Sequence, residues 1–145
     1  MDKKLTENEL RKQIFEFLKK DPRVTSPKLI HGTHEYGVDI VFDYEDVFGQ
    51  KLKCGIQVKA NDLDALKLKE IVGQLCIAFG HEYSRKPNTR LLDIVYIVTN
   101  GSTQPSDEYI NASNVGFRNV MFIDGDQLKP VLEQNSRKLD YKKET

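Results

Sequence analysis

The sequence lacks several features that would assign it to a special class of protein. It has no tryptophan, only two cysteines, and no apolar run near the roughly 20 residues that span a bilayer. Its first residues lack the apolar stretch of a signal peptide. Cys54 and Cys76 are distant in sequence from each other and from the three histidines, which argues against a zinc site. These absences predict a cytoplasmic protein with reduced thiols and no membrane partner.

The chain also lacks an excess of charge of either sign, because Lys plus Arg and Asp plus Glu both total 22. A protein that binds nucleic acid mainly through charge usually has a basic excess. A DNA-binding role would therefore need the positive charge on one face, or another module to supply affinity. The length of 145 residues and a hydrophobic content of 39% predict one globular domain, residues 1–145.

Periodicity predicts alternating helices and strands over a core of about residues 6–134, followed by a polar tail at 135–145. The spacing of Thr6 and Glu9 is that of a capping box, and Ser26-Pro27 favours an edge strand. Helices are predicted at residues 6–20, 62–81, 103–114 and 126–134, and strands at 23–30, 36–43, 51–59, 91–99 and 120–124. This order predicts an α/β fold with a central mixed β-sheet flanked by helices.

Polar residues with catalytic potential lie in the predicted hairpin of the second and third strands. If the hairpin is symmetric about Phe48, Asp39 faces Gln57, and directly opposed residues project from one face of a sheet. Lys59 shares the face of Gln57 because strand side chains alternate. An acid, an amide and an amine are thus expected within roughly 7 Å.

This combination of side chains suits phosphodiester hydrolysis with a bound Mg²⁺. Mg²⁺ prefers hard oxygen ligands and often needs only one or two carboxylates. Asp39, the amide oxygen of Gln57 and the backbone carbonyl of Val58 are candidate ligands, and Lys59 would orient water or stabilise charge on the phosphate. The alternative is an ordinary wet strand face. Asp39 lies in an apolar strand, where an unpaired charge is costly, and this favours a functional role.

Around these residues the sequence resembles a known family. Gly37-Val-Asp-Ile, Gly55-Ile-Gln-Val-Lys59, Ile94–Thr99 and Val120–Leu128 are similar to ordered segments of the PD-(D/E)XK nucleases, in the Mrr-like restriction endonuclease branch. The resemblance extends over residues 6–134. It implies a restriction-endonuclease-like fold and a Mg²⁺-dependent endodeoxyribonuclease, with Mn²⁺ as a possible substitute, acting in restriction or anti-phage defence.

Carried over by residue, the resemblance implies that Asp39 binds the metal, Gln57 occupies the second acidic position and Lys59 is the catalytic lysine. Some relatives add a glutamate from the first helix, for which Glu9 is the first choice and Glu16 the second. The capping box offers Glu9 an alternative role. Gln57 departs from the acidic pattern because it is neutral, so metal binding would depend on Asp39 and the helical glutamate.

Three functions remain open at this stage: a DNA endonuclease, a catalytically silent nuclease-fold module that binds DNA or protein, and a Holliday junction resolvase. Many Mrr-like enzymes carry a separate DNA-recognition domain, so a homodimer or further domains of a larger protein are also possible partners. Candidate DNA contacts are Lys51 and Lys53, on the face of Gln57, Gln74 on the following helix, and His34 in the loop before Asp39. Each of these residues has the alternative of an ordinary solvated surface position.

Overall fold

The predicted α/β fold is confirmed by a computed structural model of the chain, which describes residues 5–30, 37–78, 92–102 and 120–133. The elements are α1 (Glu7–Lys19), β1 (Val24–Leu29), β2 (Ile40–Glu45), β3 (Lys51–Lys59), α2 (Ala65–Ala78), β4 (Ile94–Thr99) and β5 (Val120–Ile123), followed by α3 at residues 125–133. The predicted helix at 103–114 and the tail at 135–145 lie outside the described residues. Within them, no helix is long and apolar enough to cross a membrane.

The five strands form one mixed sheet in the order β1-β2-β3-β4-β5. β1, β2 and β3 pair antiparallel, because short connections allow neighbouring strands to reverse direction. β3, β4 and β5 pair parallel, which requires a longer crossover, and α2 lies in the crossover between β3 and β4. The third strand is therefore the centre of the sheet, with an antiparallel neighbour on one side and a parallel neighbour on the other.

The two faces of the sheet have separate hydrophobic cores. Helix α2 packs on one face against residues that include Val41, Val95 and Ile97. Helices α1 and α3 pack on the other face, against Ile40 and Ile56 among others. Both faces of the central strands are buried, so their interior positions read as nearly continuous apolar runs.

The capping box predicted for the first helix is confirmed. The backbone N–H of Glu9 donates to the Thr6 hydroxyl oxygen at 3.2 Å, and the backbone N–H of Thr6 donates to the Glu9 carboxylate at 3.4 Å. Leu10, Ile14 and Leu18 form the buried stripe of α1. The cap determines where the helix begins and therefore which of its side chains reach the sheet.

The register of the hairpin is also confirmed. Ile40 pairs with Ile56 and Glu45 with Lys51, so the pairing is symmetric about residue 48, and it ends one residue short of Asp39 and Gln57. At the tip, the backbone N–H groups of Phe48 and Gln50 both donate to the Asp46 carboxylate at 2.9 Å. This turn holds the two strands in a single register.

Candidate active site

Asp39 lies immediately before β2, at the end of the hairpin opposite the turn. Its backbone N–H donates to the carbonyl of Ile56 at 2.7 Å, and its carbonyl accepts from the backbone N–H of Ile30 at 2.8 Å. The Oδ2 atom accepts a hydrogen bond from the backbone N–H of Val58 at 2.7 Å. With a side chain only 14% exposed, Asp39 is a mostly buried carboxylate held by the backbone of β3.

The other oxygen of this carboxylate contacts a residue of the first helix. Nη2 of Arg11 lies 3.3 Å from Oδ1 of Asp39, and the Arg11 side chain is 18% exposed. Nε of Arg11 is buried and has no hydrogen-bond acceptor among the described residues. A buried donor without an acceptor loses its hydration without replacement. The guanidinium is therefore only partly satisfied where it stands.

The pKa of Asp39 is raised above its ordinary value of 3.8, and burial is the main cause. The Val58 amide and the Arg11 guanidinium oppose this rise, whereas the charge of Glu7 adds to it and the charge of Lys59 again lowers the pKa. Glu7 and Lys59 are thus close enough to act electrostatically on Asp39. Two acids and two bases share this end of the hairpin.

The glutamate that α1 brings to this site is Glu7. Its carboxylate accepts a hydrogen bond from the backbone N–H of Ala60 at 3.3 Å, directly after Lys59. The predicted Glu9 is exposed and bonded to Thr6 at the helix cap, and the reserve Glu16 forms an exposed ion pair with Lys19. Glu9 is held at the cap and so is kept from the sheet.

A signal for Glu7 was present in the sequence. Glu7 and Arg11 are four residues apart, so they lie on the same face of a helix. The acid next to Ala60 and the base next to Asp39 therefore come from one helical face. The capping box had already assigned Glu9 a structural role, and Glu7, the other acidic residue of the first turn, was the better candidate.

Loops at the carboxyl ends of β3 and β4 hold Glu7 and Lys59 in this arrangement. The backbone N–H of Asn61 donates to Oδ1 of Asn100 at 2.7 Å. Nδ2 of Asn100 donates to the carbonyl of Leu5 at 3.0 Å, just before α1. Asn100 thus connects the segment before Glu7 with the loop that follows Lys59.

Gln57 contacts a different helix from Asp39. Its side chain is 1% exposed, and its Nε2 donates to Oε1 of Gln74 on α2. Gly37, with a φ of +82°, passes so close to both amides that a Cβ there would collide with them. The amide of Gln57 is thus enclosed between α2 and the backbone of Gly37.

The side-chain contacts differ from the prediction that Asp39 and Gln57 project from one face, because Asp39 contacts Val58 and Arg11 whereas Gln57 contacts Gln74. Val38 belongs to the core under α2, whereas Ile40 belongs to the core under α1. In a regular strand, residues two apart share a face. The alternation is broken at Asp39, which lies before β2 begins, and its carboxylate turns to Val58 and Arg11.

The lysines predicted to contact DNA face carboxylates. Nζ of Lys53 lies 3.7 Å from Oδ1 of Asp43, its partner across the hairpin, and Lys51 pairs in register with Glu45. A basic track along this strand is thus flanked by acids on β2. Gln74 is bonded to Gln57. The predicted His34 lies outside the described residues.

The side chains near Asp39 offer oxygen atoms of the kind that a divalent cation such as Mg²⁺ binds. Across the described ranges, no three Asp, Glu, His or Cys side chains form a group that would hold a metal ion. Asp39 and Glu7 supply two carboxylates, and Mg²⁺ commonly uses one or two together with water and substrate phosphates. The pKa of Asp39 is raised mainly by burial and to a smaller extent by the charge of Glu7, and a bound cation would offset both effects. These residues fit a Mg²⁺ site of this open kind.

Comparison with known proteins adds no relative. No protein-family model matches the chain, and no similar protein was found among curated proteins or solved structures. The resemblance to the PD-(D/E)XK nucleases therefore remains a prediction from the motif and the order of elements.

Proposed function

We propose that the chain is a metal-dependent endonuclease domain that hydrolyses phosphodiester bonds in DNA. The observation that supports this most is the mostly buried Asp39 carboxylate, which has Glu7 and Lys59 within electrostatic range. Burial of charge is costly unless the charge is paired or bound to metal. Two acids and a lysine at one end of a mixed sheet form the group that metal-assisted phosphodiester hydrolysis needs.

Each residue has a distinct part in this proposal. Asp39 and Glu7 would hold Mg²⁺, which when bound supplies an activated water and neutralises phosphate charge. Lys59 would stabilise the negative charge that develops on the phosphate. Gln57 would act indirectly, because its hydrogen bond to Gln74 fixes α2 against the central strand. The choice of DNA and a role in defence against foreign DNA rest on the family resemblance.

A catalytically silent nuclease-fold module is the second candidate. The bond between Gln57 and Gln74 favours it, because the position that is acidic in most PD-(D/E)XK nucleases is here a neutral, enclosed amide. Metal binding would then depend on the carboxylates of Asp39 and Glu7, and that of Asp39 is already paired with Arg11.

Nicking of supercoiled plasmid distinguishes the two candidates. Wild-type protein is expected to nick in Mg²⁺ or Mn²⁺ and not in EDTA, and Asp39→Ala and Lys59→Ala should each abolish nicking. Intact plasmid at all metal concentrations would refute the endonuclease for this chain. Gel-shift binding of the same plasmid without nicking would instead support the silent module.

A further inference from the structure

The anion at the centre of the candidate site already has a cation beside it. Arg11 lies 3.3 Å from Oδ1 of Asp39, while Oδ2 is held by the backbone N–H of Val58. The Val58 amide belongs to the central strand of the sheet and cannot move without disturbing it. A metal ion that displaces a partner of Asp39 would therefore displace the Arg11 side chain at Oδ1 rather than the backbone amide at Oδ2.

The charges at this site balance without metal. Glu7 and Asp39 are acids, Arg11 and Lys59 are bases, and Arg11, Glu7 and Lys59 all act electrostatically on Asp39. A divalent cation added to this neutral group would be opposed by both bases. Release of Arg11 from Asp39 would remove one of the opposing charges from the immediate neighbourhood of the metal.

The contact with Asp39 uses only part of the hydrogen-bonding capacity of the Arg11 guanidinium. One guanidinium nitrogen contacts the carboxylate, whereas Nε is buried without an acceptor among the described residues. A guanidinium binds best when two parallel N–H groups meet two oxygens, as in contacts with carboxylates and phosphates. At Asp39 the second oxygen accepts from Val58, and the contact with Arg11 is to Oδ1. A phosphate would offer both oxygens.

We propose that Arg11 is an exchangeable counter-ion, which holds Oδ1 of Asp39 in the metal-free protein, yields it to a divalent cation and then binds a backbone phosphate of DNA. This inference rests on the proposed nuclease function. It predicts that metal and DNA bind with positive coupling, because each removes a contact that opposes the other. If the ion pair between Arg11 and Asp39 were purely structural, the coupling between metal and DNA would not depend on Arg11.

Binding of Mn²⁺ to the full chain, measured by calorimetry and by electron paramagnetic resonance, tests the first half of the proposal. Arg11→Met should tighten Mn²⁺ binding about tenfold, the effect of one positive charge roughly 6 Å from a divalent ion even in water. Arg23→Met is the matched control, because Arg23 is 61% exposed and pairs with Asp21 away from the site. The control should leave Mn²⁺ affinity unchanged.

The second half is tested by adding a short DNA duplex in a Lys59→Ala background, where the duplex is expected to stay intact. The duplex should tighten Mn²⁺ binding when Arg11 is present, and Arg11→Met should remove most of this coupling. Coupling that is as large in Arg11→Met as with Arg11 present would overturn the assignment of Arg11 to a phosphate. Circular dichroism melting checks each fold, and Arg11→Gln replaces Arg11→Met if the latter does not fold.

The outcomes separate this inference from the proposed function. Tighter binding in Arg11→Met that is lost in the Arg11→Met, Asp39→Asn double variant supports the exchange. Asp39-dependent binding that is unchanged or weaker in Arg11→Met refutes the exchange and leaves the nuclease proposal intact. If no Asp39-dependent Mn²⁺ binding occurs in any of these proteins, both the exchange and the metal-dependent function are refuted.

Discussion

The two ends of the β2–β3 hairpin provide an acidic residue with different contacts. Near the turn, Asp43 faces Lys53 in the strand register, and their charged groups lie 3.7 Å apart. At the open end, Asp39 lies just beyond the last register pair of the hairpin, and the amide of Gln57 is bonded to Gln74 on α2. The partners of the Asp39 carboxylate are the backbone amide of Val58 in β3 and the side chain of Arg11 in α1.

This difference shows what separates a structural acid from a candidate catalytic one. Asp43 is satisfied by the residue directly across from it, on a partly exposed strand face. Asp39 is more buried and depends on elements that are distant in sequence. A carboxylate whose partner comes from another element can exchange that partner without disturbing the hairpin.

The largest difference between the ends is expected for Asp39→Asn and Asp43→Asn. Asp39→Asn should reduce plasmid nicking to background, because the neutral amide binds a divalent cation poorly. Asp43→Asn should retain most nicking, since it removes only a cross-strand pair worth up to about 1 kcal/mol. Both rates are measured under the same Mg²⁺ concentration. Equal loss in the two variants would show that the open end has no special role.

The two lysines should differ in the same direction. Lys59→Met is expected to lower the nicking rate roughly 10²–10³-fold, the usual effect of losing a group that stabilises transition-state charge. Lys53→Met, which removes the partner of Asp43, should change the rate by less than about tenfold through weaker DNA attraction. Rates at saturating DNA separate the two effects. A larger loss of rate in Lys53→Met than in Lys59→Met would identify Lys53, near the turn, as the catalytic lysine.

Gln57 should matter more for stability than for chemistry. Gln57→Met leaves the half-buried Gln74 amide without its partner, which should lower the free energy of unfolding by about 1–3 kcal/mol. Gly37→Ala should have a similar cost, because its positive φ and lack of space both disfavour a Cβ. Urea unfolding measures both. A loss of nicking in a stable Gln57→Met protein, as complete as in Asp39→Asn, would make Gln57 a direct metal ligand.

The smallest effect is a dependence of stability on pH that arises from Asp39. Burial raises the pKa of Asp39 above 3.8, so the folded protein holds this proton more tightly than the unfolded chain. As pH rises from 3.8 through the raised pKa, ionisation should therefore cost stability. The free energy of unfolding of wild type minus that of Asp39→Asn should fall over this interval. A difference that grows with pH would mean that the site favours the ionised carboxylate.

Much of the fold followed from local patterns in the sequence. The symmetry of the hairpin about residue 48 was correct because a short turn allows few registers, and the Thr6–Glu9 spacing marked the start of α1. Ser26, with a φ of +52°, lies at an irregularity in the edge strand β1, where Ser26-Pro27 had indicated an edge.

The orientation of the site residues was harder to predict. Strict alternation of side chains placed Asp39 and Gln57 on one face of the sheet. In the structure this alternation is broken between Val38 and Ile40, and the break depends on the backbone of residues 37–39 just before the strand. The contacts of Asp39 with Arg11 and Val58 join segments that only the folded sheet brings together. The capping box explained Glu9 correctly, but the role of Glu7 appears only when α1 is placed against the loop after β3.

Paramagnetic broadening of amide signals by Mn²⁺ tests most directly whether the open end of the hairpin binds metal. In a nuclear magnetic resonance titration, substoichiometric Mn²⁺ should first broaden the amides of Glu7, Asp39 and Ala60, and leave those of Asp46 and Gln50 at the turn sharp. Asp39→Asn should remove this broadening. Broadening centred on the turn, or none that depends on Asp39, would contradict the assignment of a metal-dependent active site to this end.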